Sequence, residues 1–131
     1  MKTGTFGRKA SCSALLTLAL ACGGAGSDPG AEISPEELLA AAGQAGAPLV
    51  LDVRSPEEFA SGHVPGARNV EYDEVAARLG ELGSAREVVV YCERGGRAAK
   101  AEEVLRQAGF TVRHLAGDMS GWRAAGRPIE R

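Results

Sequence analysis

The apolar residues of this chain fall into short β-branched or leucine-rich runs, separated by stretches whose apolar positions recur at helical spacing. Leu49-Val50-Leu51-Asp52-Val53, Glu87-Val88-Val89-Val90-Tyr91 and Thr111-Val112-Arg113-His114-Leu115 predict strands. The first two are almost uninterrupted in apolar character, as strands covered on both faces are. A shorter strand is expected from Ala67 to Val70, after the turn His63-Val64-Pro65-Gly66. Ser34-Pro35-Glu36-Glu37 and Ser55-Pro56-Glu57-Glu58 each have the form of a capping box, with serine as N-cap, proline at the first helical position and glutamate three residues after the cap. The first of these helices should run to about Gly43 or Gly46, and the second should stop at Gly62. Further helices are expected over Asp73 to Leu82, with Val75, Leu79 and Leu82 on one face, and from the loop after Cys92 to Gly109, a natural C′ residue. A last helix is expected over Met119 to Ala125. Helices alternating with short apolar strands imply an α/β domain, a mostly parallel central sheet flanked by helices. In such sheets reactive groups gather at the carboxyl ends of the strands.

The central strand delivers Cys92 to such a place. The loop Cys92-Glu93-Arg94-Gly95-Gly96-Arg97 carries two arginines and two glycines, and it opens into a run of strong helix formers, Ala98-Ala99-Lys100-Ala101-Glu102-Glu103. A strand–loop–helix turn of this kind directs backbone N–H groups inward and adds the positive end of the helix dipole. N–H dipoles and guanidinium charge favour the thiolate, the nucleophilic form of cysteine. A lone cysteine at the end of a core strand is more often a buried structural thiol. Two glycines and two arginines within five residues make a poor apolar environment and a good anion cradle, which turns the weight toward a nucleophile. Arg97, at the helix start, is expected to be the main charge partner, with Arg94 at the pocket mouth and Gly95 and Gly96 letting the backbone curl around the sulfur.

Length and charge change the picture at the N-terminus. Lys2, Arg8 and Lys9 precede the apolar run Ala14 to Ala21, the layout of a secretory signal peptide, too short for a membrane-spanning helix. The 131 residues are therefore read as a signal peptide over 1–21, a flexible tether over 22–31 and one folded domain over 32–131. Ala21-Cys22-Gly23 resembles the lipobox of bacterial lipoproteins, with Ala19 where that motif usually has leucine, so Cys22 is a candidate lipidation site. The expectation is an exported protein, either a cell-envelope lipoprotein anchored by its lipid or a free extracytoplasmic one. Without the three leader cations, 12 of the 15 lysines and arginines remain against 17 acids, about −5, which argues against nucleic acid as a partner. The folded domain keeps a single cysteine, so it forms no internal disulfide, and an unpaired thiol in an oxidising space is buried or used. His63 and His114 show no cysteine or carboxylate at ligand spacing in sequence, and no metal site is expected.

Three separated segments together resemble one family. Leu51-Asp52-Val53-Arg54, followed by Glu57-Glu58-Phe59 and Gly62-His63-Val64-Pro65-Gly66-Ala67, is similar to the first signature of rhodanese-like sulfurtransferase domains. Cys92 to Arg97 is similar to their active-site loop, and Leu115-Ala116-Gly117 with Trp122, Gly126 and Pro128 to their C-terminal signature. The resemblance spans about residues 33 to 129. It implies that Cys92 is catalytic, accepting a sulfane sulfur from thiosulfate or a similar donor as a persulfide and passing it to cyanide or a thiol. Glu93, Arg94, Gly95, Gly96 and Arg97 would form the substrate-binding loop, with no cofactor and a monomeric domain expected. Three positions depart from the pattern. Ala98 stands where the family often has a serine, Gly117-Asp118 replaces the usual pair of glycines, and Glu93 brings a negative charge beside the cysteine, expected to point to solvent.

Asp52 and Arg54 are read as a structural ion pair rather than charge organisers, His63 as fixing the turn before Pro65, and Trp122 as a core anchor. A phosphatase or arsenate reductase of related fold would need five residues between cysteine and arginine to enclose a tetrahedral oxyanion, and only four separate Cys92 from Arg97. The remaining alternative is a non-turnover persulfide carrier or partner-binding module at the cell envelope, because fold alone does not decide function.

Overall fold

Five strands, Glu32–Ile33 (β1), Leu49–Asp52 (β2), Arg68–Asn69 (β3), Val88–Tyr91 (β4) and Val112–Leu115 (β5), form one sheet in the order β1-β5-β4-β2-β3. Each of its pairings is parallel. Parallel neighbours need crossover connections, supplied by Pro35–Ala41 (α1), Pro56–Ser61 (α2), the 3₁₀ segment Val75–Leu82 and Gly96–Gln107 (α3), with Asp118–Ala124 (α4) closing the domain. This computed structural model describes residues 31–83 and 87–131. The expected signal peptide 1–21, Cys22 and all but the last residue of the expected tether lie outside the described residues. Among the described residues no helix is long and apolar enough to cross a membrane.

β2 and β4 are buried at every position, which is why their sequences read as continuous apolar runs. The period-two alternation of a strand then divides them between two cores. Leu49, Leu51, Val88, Val90 and Cys92 pack with Val75, Leu82 and the α3 residues Ala98, Ala101 and Leu105. Val50, Val89 and Tyr91 pack on the other face with Ile33, Leu38, Leu115, Met119 and Trp122. Each fully buried Val, Leu or Met contributes roughly 1.5–3 kcal/mol relative to exposure. Trp122 is wholly buried, and its indole N–H donates to the Pro128 carbonyl at 2.7 Å, so it anchors the C-terminal segment.

Local signals hold in detail. Ser55 and Glu58 form a complete reciprocal capping box, and the Ser34 hydroxyl accepts the Glu37 N–H. Past α3, Phe110 N–H bonds Leu105 C=O and Gly109 N–H bonds Arg106 C=O, the paired bonds of a Schellman ending with Gly109 at φ 93°. Other boundaries differ from expectation. The first helix stops at Ala41, because Gly43 and Gly46 both sit in turns rather than ending a longer helix. The expected α-helix over 73–82 is a 3₁₀ segment broken at Arg78 (φ −116°, ψ 16°), with no side chain capping its start at Glu74. β1 was not foreseen at all. Its two residues carry no periodicity, and only the register Glu32–His114 and Ile33–Leu115 makes them a strand.

A charged pair is buried inside this apolar frame. Asp52 and Arg54 are 0% and 1% exposed. Arg54 donates to Asp52 through its backbone N–H (2.9 Å), Nε (3.0 Å) and Nη2 (2.7 Å), and through Nη2 to the Gly62 carbonyl (2.8 Å). The Tyr91 hydroxyl, opposite Asp52 in the β2–β4 register, donates to Asp52 Oδ2 at 2.7 Å and accepts the Val64 N–H. Burial and the neighbouring Asp52 charge push the Tyr91 hydroxyl up, so it stays a donor. The pair ties the end of β2 to the turn after α2. His63 fixes that same turn: its ring stacks on Phe59 and bonds the Phe59 carbonyl, while its backbone bridges Glu130.

Asp52→Ala leaves the buried Arg54 with only Glu93, 3.4 Å away at the rim, as counter-charge, and is expected to lower unfolding free energy by about 3–5 kcal/mol, measured by urea denaturation. An unchanged midpoint would show that the pair does not anchor this end of the sheet.

Candidate active site

Cys92 leaves the carboxyl end of β4, the strand flanked by β2 and β5. The chain then turns through Glu93 and Arg94 to Gly95, the N-cap of α3, at φ 111° and ψ −22°. That conformation strains any residue with a side chain. It also aims the Gly95 N–H at Cys92 Sγ, 2.9 Å away. No side chain caps α3, so its first-turn N–H groups and the positive end of a 12-residue helix are directed toward the loop. Cys92 is 1% exposed and has no disulfide partner among the described residues. A thiolate there has an N–H donor and a helix dipole in place of water. Ala98 is wholly buried in the core that contains Cys92, and its methyl offers the sulfur no hydrogen bond.

The two loop arginines separate in character. Arg94 is exposed, at the loop's outer turn. Arg97 is forked onto Glu58 of α2, with Nη1–Oε2 at 2.7 Å and Nη2–Oε1 at 2.9 Å. Its guanidinium is held more tightly protonated, first by Glu58 and also by the nearby Cys92. Arg97 thus sits where its charge reaches the sulfur, but it shares that charge with Glu58, a carboxylate expected as a helix cap and not as its partner. Glu58 carries both duties, accepting the Ser55 N–H and the Arg97 fork, and the Arg97 bond chiefly holds its carboxyl at about 2. Glu93 does not simply point to solvent. It is partly buried between Arg123, whose Nη1 donates at 2.8 Å, and Arg54, whose Nη1 lies 3.4 Å away. Its charge is compensated on both sides because β2 and α4 bring their arginines to the same rim.

Behind the loop lies a polar cluster absent from the sequence reading. The Cys92 backbone N–H donates to Asp118 Oδ1 at 3.0 Å, and Asp118 Oδ2 meets His114 Nε2 at 2.9 Å. His114 Nδ1 meets Glu102 Oε1, so the expectation that His114 lacks carboxylate partners is corrected. One partner lies across the β5–α3 packing, 12 residues away in sequence, and the other is supplied by the turn into α4. Among the described residues no group of three or more His, Cys, Asp and Glu side chains has an arrangement that could hold a metal ion. Asp118 occupies φ 51° after Gly117 at φ 81°, so the turn keeps two left-handed residues in succession, the second of them an aspartate. The departure at Gly117-Asp118 was the visible signal of this cluster.

The sequence matches the rhodanese-like domain family over residues 34–125. The chain belongs to that family. It is 40% identical over 105 residues to the HTH-type transcriptional regulator Rv0324 of Mycobacterium tuberculosis, covering 74% of this chain and 46% of the regulator, so it spans less than half of that relative. It is 38% identical over 93 residues to thiosulfate sulfurtransferase 16, chloroplastic, of Arabidopsis thaliana, covering 61% of this chain and 78% of the plant protein. A crystallographically solved full-length protein from Lactobacillus plantarum is similar at a TM-score of 0.69 and 36% identity, covering 76% of this chain and 86% of that one.

The depressed Glu58 carboxyl has a consequence for acid stability. Its folded value lies below its ordinary 4.5, so the Arg97–Glu58 pair contributes stability that is complete above about 4.5 and lost as pH falls toward 2. Thermal melts of wild type should therefore decline through that window, and Glu58→Gln should remove part of the slope. A variant with the wild-type slope would place the acid-labile group elsewhere.

Proposed function

We propose that this domain is a rhodanese-type sulfurtransferase in which Cys92 carries sulfane sulfur as a persulfide, taken from thiosulfate or a similar donor and given to a thiol or cyanide. The observation that supports it most directly is the Gly95 N–H directed at Cys92 Sγ at the mouth of α3. Family membership and a relative that bears the name thiosulfate sulfurtransferase support it from outside the site. In the first step the Cys92 thiolate attacks the terminal sulfur of thiosulfate. A new S–S bond forms, the donor's S–S bond breaks, and sulfite leaves with the electron pair. In the second step the acceptor takes the outer sulfur and the Cys92 thiolate returns as leaving group. Both steps pass negative charge across the loop, where N–H dipoles and Arg97 stabilise it.

The loop is small, with four residues between Cys92 and Arg97, and its sulfur is nearly closed off. A slim terminal sulfur suits that opening better than a tetrahedral phosphate. The same burial favours a second reading, a carrier that holds a protected persulfide for a partner. Turnover separates the two: an enzyme cycles with small thiols or cyanide, and a carrier releases its sulfur slowly.

Cys92→Ser should abolish thiosulfate-to-cyanide transfer while the fold persists, because a hydroxyl is similar in size but cannot carry sulfane sulfur. In wild type, thiosulfate should add the mass of about one sulfur atom to the Cys92 peptide. Full activity in the serine variant would remove the proposal.

Arg97→Ala is expected to lower kcat by roughly two to three decades, about 2–4 kcal/mol, as loss of a charge-assisted contact at the reacting centre does. Arg94→Ala should mainly raise the apparent KM for thiosulfate, an effect that shrinks with added salt. Equal effects of the two would mean that their roles are wrongly divided.

On the leader-like N-terminus we further propose an exported protein acylated at Cys22. Wild type should enter the detergent phase and Cys22→Ala should not. A wholly aqueous wild type would end the membrane assignment.

A further inference from the structure

We propose that Glu102, His114 and Asp118 form a positioning device for Cys92: an ion bridge beneath the loop that holds the nucleophile's backbone and balances the charge against which its thiolate forms. The inference rests on the reading of Cys92 as the nucleophile. Glu102 and His114 reach Cys92 through Asp118, which bonds its backbone N–H, so they act by way of the loop backbone.

Geometry shows how the bridge grips the loop. The start of α4 makes three bonds to the end of β4. Asp118 Oδ1 accepts the Cys92 N–H at 3.0 Å, the Met119 N–H donates to the Cys92 carbonyl at 3.0 Å, and the Ser120 N–H donates to the Glu93 carbonyl at 3.2 Å. A second grip lies at Gly95. A Cβ added there would stand 3.3 Å from Asp118 Oδ2 and 3.7 Å from the His114 ring. The Asp118–His114 contact therefore forms the wall against which Gly95 packs, and Gly95 is the residue whose N–H meets the sulfur. Asp118 holds this post at φ 51°, a conformation that disfavours residues with a Cβ, although aspartate tolerates it better than most. A left-handed non-glycine residue with both carboxylate oxygens engaged is a strained position kept in place by its side chain.

The charge of the bridge follows from its contacts. Both ring nitrogens of His114 face carboxylate oxygens. A neutral imidazole has one N–H and would turn a lone pair toward one of them, whereas the imidazolium donates to both. The bonds to Asp118 and then Glu102 outweigh burial and push His114 up to about 10, so the cation persists at neutral pH. Without it, Asp118 would set an uncompensated negative charge against the backbone N–H of the residue that carries the sulfur. The other charged groups around the loop are already committed. Arg97 of α3 is forked onto Glu58 of α2, Glu93 lies between Arg54 and Arg123, and Glu102 also meets Arg106 at 3.3 Å. Arg94 is exposed at the outer turn.

The test is the pH dependence of Cys92 alkylation by iodoacetamide in the full-length protein, read on the Cys92 peptide by mass spectrometry, with circular dichroism confirming the fold. His114→Gln leaves Asp118 without its cationic partner, so its half-maximal pH should rise by about half a unit or more, as a partly screened unit charge near the sulfur requires. Asp118→Asn keeps an oxygen for the Cys92 N–H but removes the negative charge, so its midpoint should fall. Opposite shifts are the signature, since loosened packing alone would not move the two midpoints apart. In thiosulfate turnover, His114→Gln should lower kcat with little change in KM. If His114→Gln does not fold, Asp118→Asn and Glu102→Gln carry the test, and both midpoints should fall. Folded variants that keep the wild-type midpoint, or a rise in Asp118→Asn, would overturn the proposal. Failure of wild type to transfer sulfur would strike the sulfurtransferase reading instead, because alkylation reports the loop without any sulfur donor.

Discussion

In a sheet whose strands all run the same way, each strand delivers its last residue to the same rim, and the chain must return by way of a crossover before the next begins. Here that constraint decides where chemistry occurs. β2 brings Asp52 and Arg54 to the rim, β4 brings Cys92, and β5 ends just before the turn that carries Asp118. The crossover elements contribute their own termini: Glu58 from α2, the N-terminus of α3 and the first turn of α4. Residues up to 66 positions apart in sequence, from Asp52 to Asp118, thus meet at one rim without any long loop to hold them.

Charges gathered at a buried rim must be paired, and the pairing gives the site its rigidity. Arg54 is closed off by Asp52, Gly62 and Glu93. Burial works against its charge, and Asp52 more than compensates. Glu93 in turn reaches Arg123 on α4. One continuous network therefore runs from the floor of β2, past the residue beside Cys92, to the last helix. At its buried end, removing Asp52 takes from Arg54 its main partner in a low-dielectric setting, which costs more than the lost contact itself. Glu93, whose negative charge looked adverse to an anion loop, serves as the link between these two sides.

The elements most legible in the sequence were those carrying a local physical signal. Uninterrupted Val and Leu runs reported β2 and β4, serine–proline–glutamate segments reported two helix starts, and Gly109 reported the end of α3. The cysteine loop was visible because strand, glycines, arginines and helix formers follow one another directly. Features that depend on distant partners were not visible. β1 exists only because β5 offers it an edge. The 3₁₀ segment has an apolar face that also suits an α-helix, and only its uncapped start and the break at Arg78 decide the matter. Glu58 shows in sequence as a cap residue and part of a family segment, and nothing local says that Arg97 lies opposite. His114 seemed isolated because Glu102 meets it across the packing of α3 on β5.

Cys92 is consequently held from two directions by different physics. On the sulfur side, the Gly95 N–H and the α3 dipole favour negative charge without a committed counter-ion. On the backbone side, Asp118 fastens the Cys92 N–H, and His114 keeps that fastening neutral in sum. A glycine in place of Asp118 would relieve the left-handed backbone but leave the Cys92 N–H without its acceptor. An unmade buried hydrogen bond costs about 1–3 kcal/mol, comparable to or above the roughly 1–2 kcal/mol of left-handed strain that glycine would relieve. Energetics alone therefore permit aspartate here, and what it adds is definition: one fixed position for the chain that carries the sulfur, between a floor of paired ions and a wall of N–H donors.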